Sequence, residues 1–147
     1  MSLPLPPKSS RRRSLLEVAL LLAVVLLSGA CDQEDQPADV FFPTWIREPG
    51  APVPTGDLAG GLVERNGCLI WSGTKDVLPL WPDTFQLNRA DVTIATNAGV
   101  VLAIGDSGTL GGGERTLEQA ESVIGKRIPG RCQPAGGYWM VTDVLTE

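Results

Sequence analysis

The chain has 147 residues, of which 43% are hydrophobic and 20% are charged, and these proportions are typical of one small globular domain rather than of a disordered chain. The first thirty residues hold four of the 12 basic residues and one of the 17 acidic residues, so the remainder carries 8 basic against 16 acidic residues. This acidic balance argues against a nucleic-acid partner, because binding a phosphate backbone requires a basic surface.

Residues 1–30 have the organisation of an export signal peptide. Arg11–Arg13 precede an apolar run at Val18–Leu27, and small residues separate that run from Cys31. The run is shorter than the roughly 20 apolar residues that span a bilayer core, so a retained transmembrane helix is the weaker alternative. We therefore predict that this segment directs export and is then removed.

The sequence LSGAC at Leu27–Cys31 resembles the lipobox of bacterial lipoproteins, in which a lipid is attached to the cysteine and the signal is cut just before it. The lipobox usually has leucine three residues before the cysteine, where this chain has Ser28. The resemblance implies a mature chain that begins at Cys31 and carries fatty chains such as palmitate. Two acyl chains, at about 0.8 kcal/mol per buried methylene, hold a protein on the cell membrane.

The same segment allows two alternatives to the lipoprotein route. An ordinary secretory signal cut near Ala30 would leave Cys31 as an unpaired thiol in an oxidising compartment, which is a chemical liability. The sequence RRSLL at Arg12–Leu16 also resembles the core of a twin-arginine signal, which exports folded proteins. Glu17 stands where that signal commonly has lysine, and the strongly apolar run favours the general secretory route.

Residues 31–56 are acidic and punctuated by prolines, which predicts a lipidated tether leading to a small β domain at 57–147. An aromatic cluster interrupts the tether, and we expect it to dock on the domain rather than to contact lipid or a partner. The cluster consists of Phe41, Phe42, Trp45 and Ile46.

Two hairpins are predicted within the domain. Asn66–Gly67 separates two short apolar runs and suits a type I′ turn, which would place Arg65 opposite Cys68. Asn97–Gly99 forms the three-residue loop of the second hairpin. A strand at Val77–Trp81 lies between the two hairpins, and its prolines indicate an edge or a bulge.

One short helix is predicted in the C-terminal half of the chain. Thr116 and Gln119 form a capping box, and Gly125 supplies the stop signal. Four apolar residues recur at helical spacing between these signals, namely Leu117, Ala120, Val123 and Ile124. The segment is therefore predicted to be amphipathic.

The chain ends in a predicted strand, YWMVTDVL, whose residues alternate between two faces. Trp139, Val141 and Leu145 share one face of this strand. Short strands, two tight hairpins and a single helix together predict a mainly β domain with a small barrel-like fold, either OB-like or SH3-like.

Cys68 and Cys132 remain after the anchor cysteine, and a disulfide between them is the natural expectation in an exported protein. The alternative is a pair of buried free thiols. In the chain-entropy account, a bridge of this span stabilises the domain by roughly 4 kcal/mol.

The tetrapeptide GDSG at Gly105–Gly108 matches the residues around the nucleophilic serine of trypsin-like proteases. A serine nucleophile needs an imidazole as its base, and the chain contains no histidine. A serine–lysine dyad would depend on Lys75 or Lys126, neither of which has a sequence cue for burial. We therefore interpret the segment around Ser107 as a glycine-rich turn.

No cofactor or metal site is predicted. A phosphate-binding loop would need a lysine where Glu114 stands. Zinc would have only Cys68 and Cys132 without histidine support, and no segment matches a calcium loop. Scattered carboxylates are more commonly solvated surface charges.

Trp71, Trp81 and Trp139 all lie in predicted strands. Large rings in such strands usually fill the core of a small barrel, whereas a cluster of them on an exposed face would form a platform for carbohydrate or peptide. They are therefore the candidate binding residues, with the core as the default expectation.

These features together predict a membrane-anchored exported lipoprotein whose domain is a binding or adaptor module for an envelope protein or a glycan. An enzyme is the less favoured alternative. It would be a glycan-active enzyme using a carboxylate pair such as Asp91 and Asp106, which would have to lie within roughly 5 to 10 Å of each other. A purely structural envelope protein is the third alternative, and it predicts no concave site.

Overall fold

The computed structural model describes residues 39–146, so the signal peptide, Cys31 and the first part of the predicted tether lie outside the described residues. The described part contains one α-helix, α1 (Leu117–Ile124), and a 3-10 helix at Gly130–Cys132. Its strands are β1 (Thr44–Trp45), β2 (Gly56–Arg65), β3 (Cys68–Gly73), β4 (Asp76–Pro82), β5 (Gln86–Asn88), β6 (Thr93–Ala95), β7 (Val101–Leu102), β8 (Ser107–Arg115) and β9 (Tyr138–Thr146).

Five strands pair around a ring, which confirms the predicted mainly β, barrel-like class with one short helix. β2 pairs antiparallel with β3 and β8, β3 pairs antiparallel with β4, and β8 pairs antiparallel with β9. A short parallel pairing of β4 with β9 closes the ring. Around the ring β9 lies between β4 and β8, so the last two strands follow each other in reversed order, and the closing pair is parallel. This is Greek-key connectivity, which favours the OB-like alternative over the SH3-like one.

The first hairpin has the predicted turn and register. Asn66 and Gly67 both have positive φ, at 55° and 74°, as a type I′ turn requires. Arg65 lies opposite Cys68 in the β2–β3 ladder. The pairing is thus fixed by local turn chemistry.

The second hairpin is also present and belongs to a separate three-stranded sheet, β5–β6–β7. The Thr96 N–H donates to the Val100 carbonyl at 2.8 Å, which leaves Asn97–Gly99 as the three-residue loop. Gly99 has a φ of 81° there, as predicted for the left-handed position.

β4 is an interior strand, so the expectation of an edge is wrong. It pairs with β9, and it also pairs with β3 near its start and in parallel with β1 near its end. The β3 ladder ends at Val77 and the β1 ladder begins at Trp81. Pro79 lies between these two ladders, so neither of them needs the backbone N–H that proline lacks.

The helix has its predicted ends but is only lightly buried. The Thr116 side chain accepts from the Gln119 N–H, the Gln119 side chain accepts in return, and Gly125 ends α1 in a left-handed conformation. Ala120 is buried, whereas Val123 remains 41% exposed. Part of the apolar face of α1 therefore faces solvent.

Two hydrophobic clusters hold the domain together. The first fills the ring and contains Val40, Leu58, Leu62, Leu69, Trp71, Val77, Trp81, Phe85, Ile94, Leu102, Leu110, Trp139, Val141 and Val144. The second packs α1 and the 3-10 helix against the ring and contains Trp45, Cys68, Ile70, Leu78, Leu80, Ala120, Ile128, Cys132, Tyr138 and Met140.

The predicted disulfide between Cys68 and Cys132 is present, with 5.5 Å between the two Cα atoms. Both cysteines are fully buried in the second cluster. The bridge joins β3 to the 3-10 helix.

β9 contains a bulge that changes the predicted alternation. Its register with β8 shifts between Gly111 and Gly112, which makes Thr142 an extra residue on β9. Beyond the bulge Val144 is buried and Leu145 is 59% exposed. The expectation that Leu145 shares the face of Trp139 and Val141 is wrong, because an extra residue inverts the two faces.

The described chain packs from Val40 onward, within the range 31–56 that the sequence predicts as a tether. Val40 and Trp45 are buried in different clusters, and β1 extends the sheet beside β4. Ile46 is 75% exposed. The aromatic cluster therefore packs on the domain except at its last residue.

Candidate functional site

The three candidate tryptophans are interior side chains, so they form no ligand platform. Trp71, Trp81 and Trp139 are all buried within the first cluster. The Trp71 indole N–H donates to the Leu58 carbonyl at 3.1 Å. Their large rings satisfy the barrel's need for apolar volume, which explains the burial.

Glycines on β2 and β8 make room for two of these rings. A Cβ on Gly60 would lie 2.6 Å from Nε1 of Trp71, and one on Gly112 would lie 2.8 Å from Nε1 of Trp139. The segment that begins with GDSG thus continues into β8 as a packing strand.

Ser107 is an exposed strand residue with no candidate base beside it in the described part of the chain. It opens β8 opposite Gly61. Lys75 forms an ion pair with Glu114, and Nζ of Lys126 lies 5.1 Å above the ring of Phe41. With no histidine in the sequence, the geometry supplies no activated nucleophile.

The carboxylates proposed for a glycan-active enzyme lie in two different loops. Asp91 precedes β6 and accepts from the Thr93 hydroxyl at 2.9 Å. Asp106 precedes β8 and accepts from the Ala103 N–H at 2.7 Å. Both carboxylates are exposed, and each stabilises its own turn.

Strand pairing brings a different pair of acids close together, and the sequence did not predict this pair. Asp57 and Asp143 each lie opposite Gly111, on the two sides of β8. Their Cα atoms are therefore two strand spacings apart, about 10 Å. They line a concavity of about 430 Å³ together with Arg47. This proximity depends on the register of β2, β8 and β9, so the sequence pattern of one strand does not reveal it.

Metal chemistry is not indicated by the described residues. Across residues 39–146, no three side chains of His, Cys, Asp or Glu gather closely enough to hold an ion. Asp57 and Asp143 are two carboxylates, fewer than the ligands that calcium or zinc takes from a protein.

A larger groove lies between segment 46–53, α1 and the start of β9, and we call it the arm groove. Its volume is about 590 Å³. Trp45 and Met140 lie at its base, both buried. The Trp45 indole N–H lies 3.1 Å from each of the Leu80 and Val141 carbonyls, so this ring is held in place. The groove therefore has a fixed apolar floor.

The walls of the arm groove combine apolar and cationic groups. Ile46 and Val123 border it and are exposed despite being apolar. Arg47 and Arg115 also line it, with Glu48 as its acidic residue. A ligand with an apolar side chain and a carboxylate would find complements for both in this groove.

Two ionisable groups with shifted pKa values lie outside these walls. Hydrogen bonds from the Ser72 hydroxyl and then from Arg65 lower the pKa of Asp76. Burial raises the pKa of Tyr138, and the charge of Glu121 raises it further. Asp76 opens β4 and Tyr138 opens β9, and neither residue lines the arm groove.

Comparisons of the chain with protein-family models, curated proteins and solved structures found no match. Among the described residues, no helix combines the length and the apolar character that a membrane span requires.

Proposed function

We propose that the chain is an exported lipoprotein, held on the cell membrane by a lipid at Cys31, whose domain is a binding module. The partner is a segment of another envelope protein, and the arm groove is the docking site. The observation that carries the binding role is the groove itself: a fixed apolar floor, exposed Ile46 and Val123 on its walls, and two arginines beside them.

The short distance from anchor to domain supports this placement. Eight residues lie between Cys31 and Val40, the first buried residue of the described range, and each of the nine steps spans at most about 3.6 Å in an extended chain. An anchored domain would stay within about 30 Å of the membrane surface. Partners that reside at the same surface would then meet the groove at high effective concentration.

A protein partner fits the groove better than a glycan. Sugar rings are commonly bound against exposed aromatic faces, and Trp71, Trp81 and Trp139 are interior. The groove instead offers aliphatic walls and guanidinium groups, which suit an apolar side chain next to an aspartate or glutamate. The partner segment is therefore expected to carry that combination.

The anchor is tested by the intact mass of the protein from the membrane fraction. We expect a chain that begins at Cys31 and carries the mass of a diacylglyceryl group. The matched variant Cys31→Ser should appear in the soluble fraction without lipid. An unmodified Cys31 in membrane-derived protein would contradict the anchor and leave the docking site open to its own test.

Docking is tested with a photoreactive residue placed at Val123 in native membranes. The control position is Leu145, which is also exposed but lies on β9 away from the groove lining. We expect a discrete cross-linked protein at Val123 that is absent at Leu145 and lost with Arg115→Glu. Mass spectrometry should map the cross-link to a segment with an apolar residue beside a carboxylate. Equal capture at both positions would refute a specific groove.

A further inference from the structure

A second concavity, of about 480 Å³, opens where the first hairpin turn meets the β3–β4 turn and segment 133–136, and we call it the turn pocket. Three cationic residues line it, Arg65, Lys75 and Arg131, against a single acidic one, Asp76. This excess of positive charge contrasts with the acidic balance of the chain after its first thirty residues. The pocket therefore concentrates positive charge on a domain whose overall charge is negative.

Two of the cations are held only by exposed ion pairs. Arg65 pairs with Asp76, and Lys75 pairs with Glu114. The side chains of Arg65 and Asp76 are 53% and 35% exposed, and those of Lys75 and Glu114 are 34% and 65% exposed. Pairs in such positions contribute little and are screened by salt, so both cations can turn toward a stronger anion.

Arg131 is the best-positioned of the three. Its Nε donates to the Asn66 carbonyl at 3.1 Å, which uses one of the five donors of the guanidinium. It belongs to the 3-10 helix and precedes Cys132, which the disulfide fixes to β3. Arg131 is therefore oriented by both neighbouring structure and its own hydrogen bond, which lowers the entropy cost of binding an anion.

We propose that the turn pocket binds a phosphate group, with Arg131 as its bidentate partner and Arg65 and Lys75 as flanking charges. A phosphate presents several acceptor oxygens and up to two negative charges, which match three cations better than one carboxylate does. The acids that compete for these cations are Asp76, which pairs with Arg65, and Glu114, which pairs with Lys75. Glu64, at the first hairpin turn, instead accepts a hydrogen bond from the Gly67 N–H at 2.5 Å.

The position of the pocket suggests the headgroup of an anionic phospholipid as one source of this phosphate. The Phe41 N–H donates to the Gly67 carbonyl at 2.7 Å, so the chain from Cys31 joins the domain at the turn that borders the pocket. This source rests on the proposed anchor, which would hold the pocket near the membrane surface. A soluble phosphate compound is the other source, and it requires no anchor.

The test uses the full chain with Cys31→Ser, so that its outcome does not depend on lipidation. One arm titrates inorganic phosphate, and the other adds phosphatidylglycerol vesicles with phosphatidylcholine vesicles as the uncharged reference. Arg131→Gln is compared with Arg127→Gln, which removes the same charge from an exposed position outside the pocket lining. Thermal unfolding of both variants checks that the fold is retained.

We expect Arg131→Gln to weaken binding at least tenfold and Arg127→Gln to leave it within twofold. Saturable binding of inorganic phosphate with this dependence assigns the pocket to soluble phosphates. Binding confined to phosphatidylglycerol vesicles with the same dependence assigns it to headgroups. Absence of saturable binding in both arms, or equal losses in the two variants, overturns the proposal.

Discussion

Removing the Cys68–Cys132 cross-link should lower the stability of the domain by about 4 kcal/mol. The bridge spans a sequence separation of 64, and the chain-entropy relation gives about 4 kcal/mol for a loop of that length at 25 °C. A small domain is stable by only about 5 to 15 kcal/mol, so reduction removes a large share of the total. Both cysteines are fully buried, so we also expect a reductant to act only when denaturant opens the domain.

Urea unfolding followed by tryptophan fluorescence measures this difference, because Trp71 and Trp81 are buried in the folded state. With a urea dependence of roughly 1 to 2 kcal/mol per molar, the midpoint should fall by about 2 to 4 M on reduction. Comparing reduced with oxidised wild-type protein measures the effect of the cross-link alone, because the sequence is unchanged. The double variant Cys68→Ala with Cys132→Ala adds the loss of two buried sulfur atoms and should be less stable still. A midpoint change worth less than about 1 kcal/mol would refute the loop-entropy reasoning.

Three further predictions concern single positions. Burial raises the pKa of Tyr138, so its stabilising contribution should be complete below the ordinary value of 10.0 and be lost as pH rises through the folded-state pKa. Absorbance of this one tyrosine, with Tyr138→Phe as the control, tests it. Gly112→Ala should cost more than about 3 kcal/mol in thermal unfolding, because its Cβ would clash with the Met140 carbonyl, whereas Gly130→Ala, with nothing within 4 Å, should be nearly neutral. Val144→Ala should cost about 2 kcal/mol in urea unfolding and Leu145→Ala less than about 0.5, and the reverse order would contradict the β9 bulge.

The features that the sequence predicted well are those encoded within a few neighbouring residues. Asn66–Gly67 determines a hairpin because both residues tolerate positive φ, and this alone fixes which residues pair. Thr116 and Gln119 likewise determine where the helix begins through reciprocal hydrogen bonds. Such signals need no knowledge of the rest of the fold.

The features that the sequence did not reveal depend on contacts between distant parts of the chain. The Trp45 indole bonds to the Val141 carbonyl, 96 residues away, so the packing of the segment before β2 could not be read from its proline-rich composition. The bulge at Thr142 likewise appears only in the register between β8 and β9. A strict period of two therefore misassigned Leu145.

The candidate site also combines features that are encoded locally with features that depend on distant contacts. The aromatic cluster was expected to pack, and Trp45 does form the base of the arm groove. The groove itself combines Trp45 with Val123 and Met140, whose proximity depends on the closed ring. The three tryptophans were candidate binding residues because of their residue type. Residue type alone does not distinguish an interior ring from an exposed one.

The position of β9 in the ring determines when the barrel can close during synthesis. β9 is the last of the described strands, and it pairs with both β4 and β8, so the ring stays open until β9 has been synthesised. During synthesis the earlier strands have no closing partner, and their apolar inner faces stay accessible to chaperones. Under the export proposed above, a route that threads unfolded polypeptide would leave this closing step to the far side of the membrane.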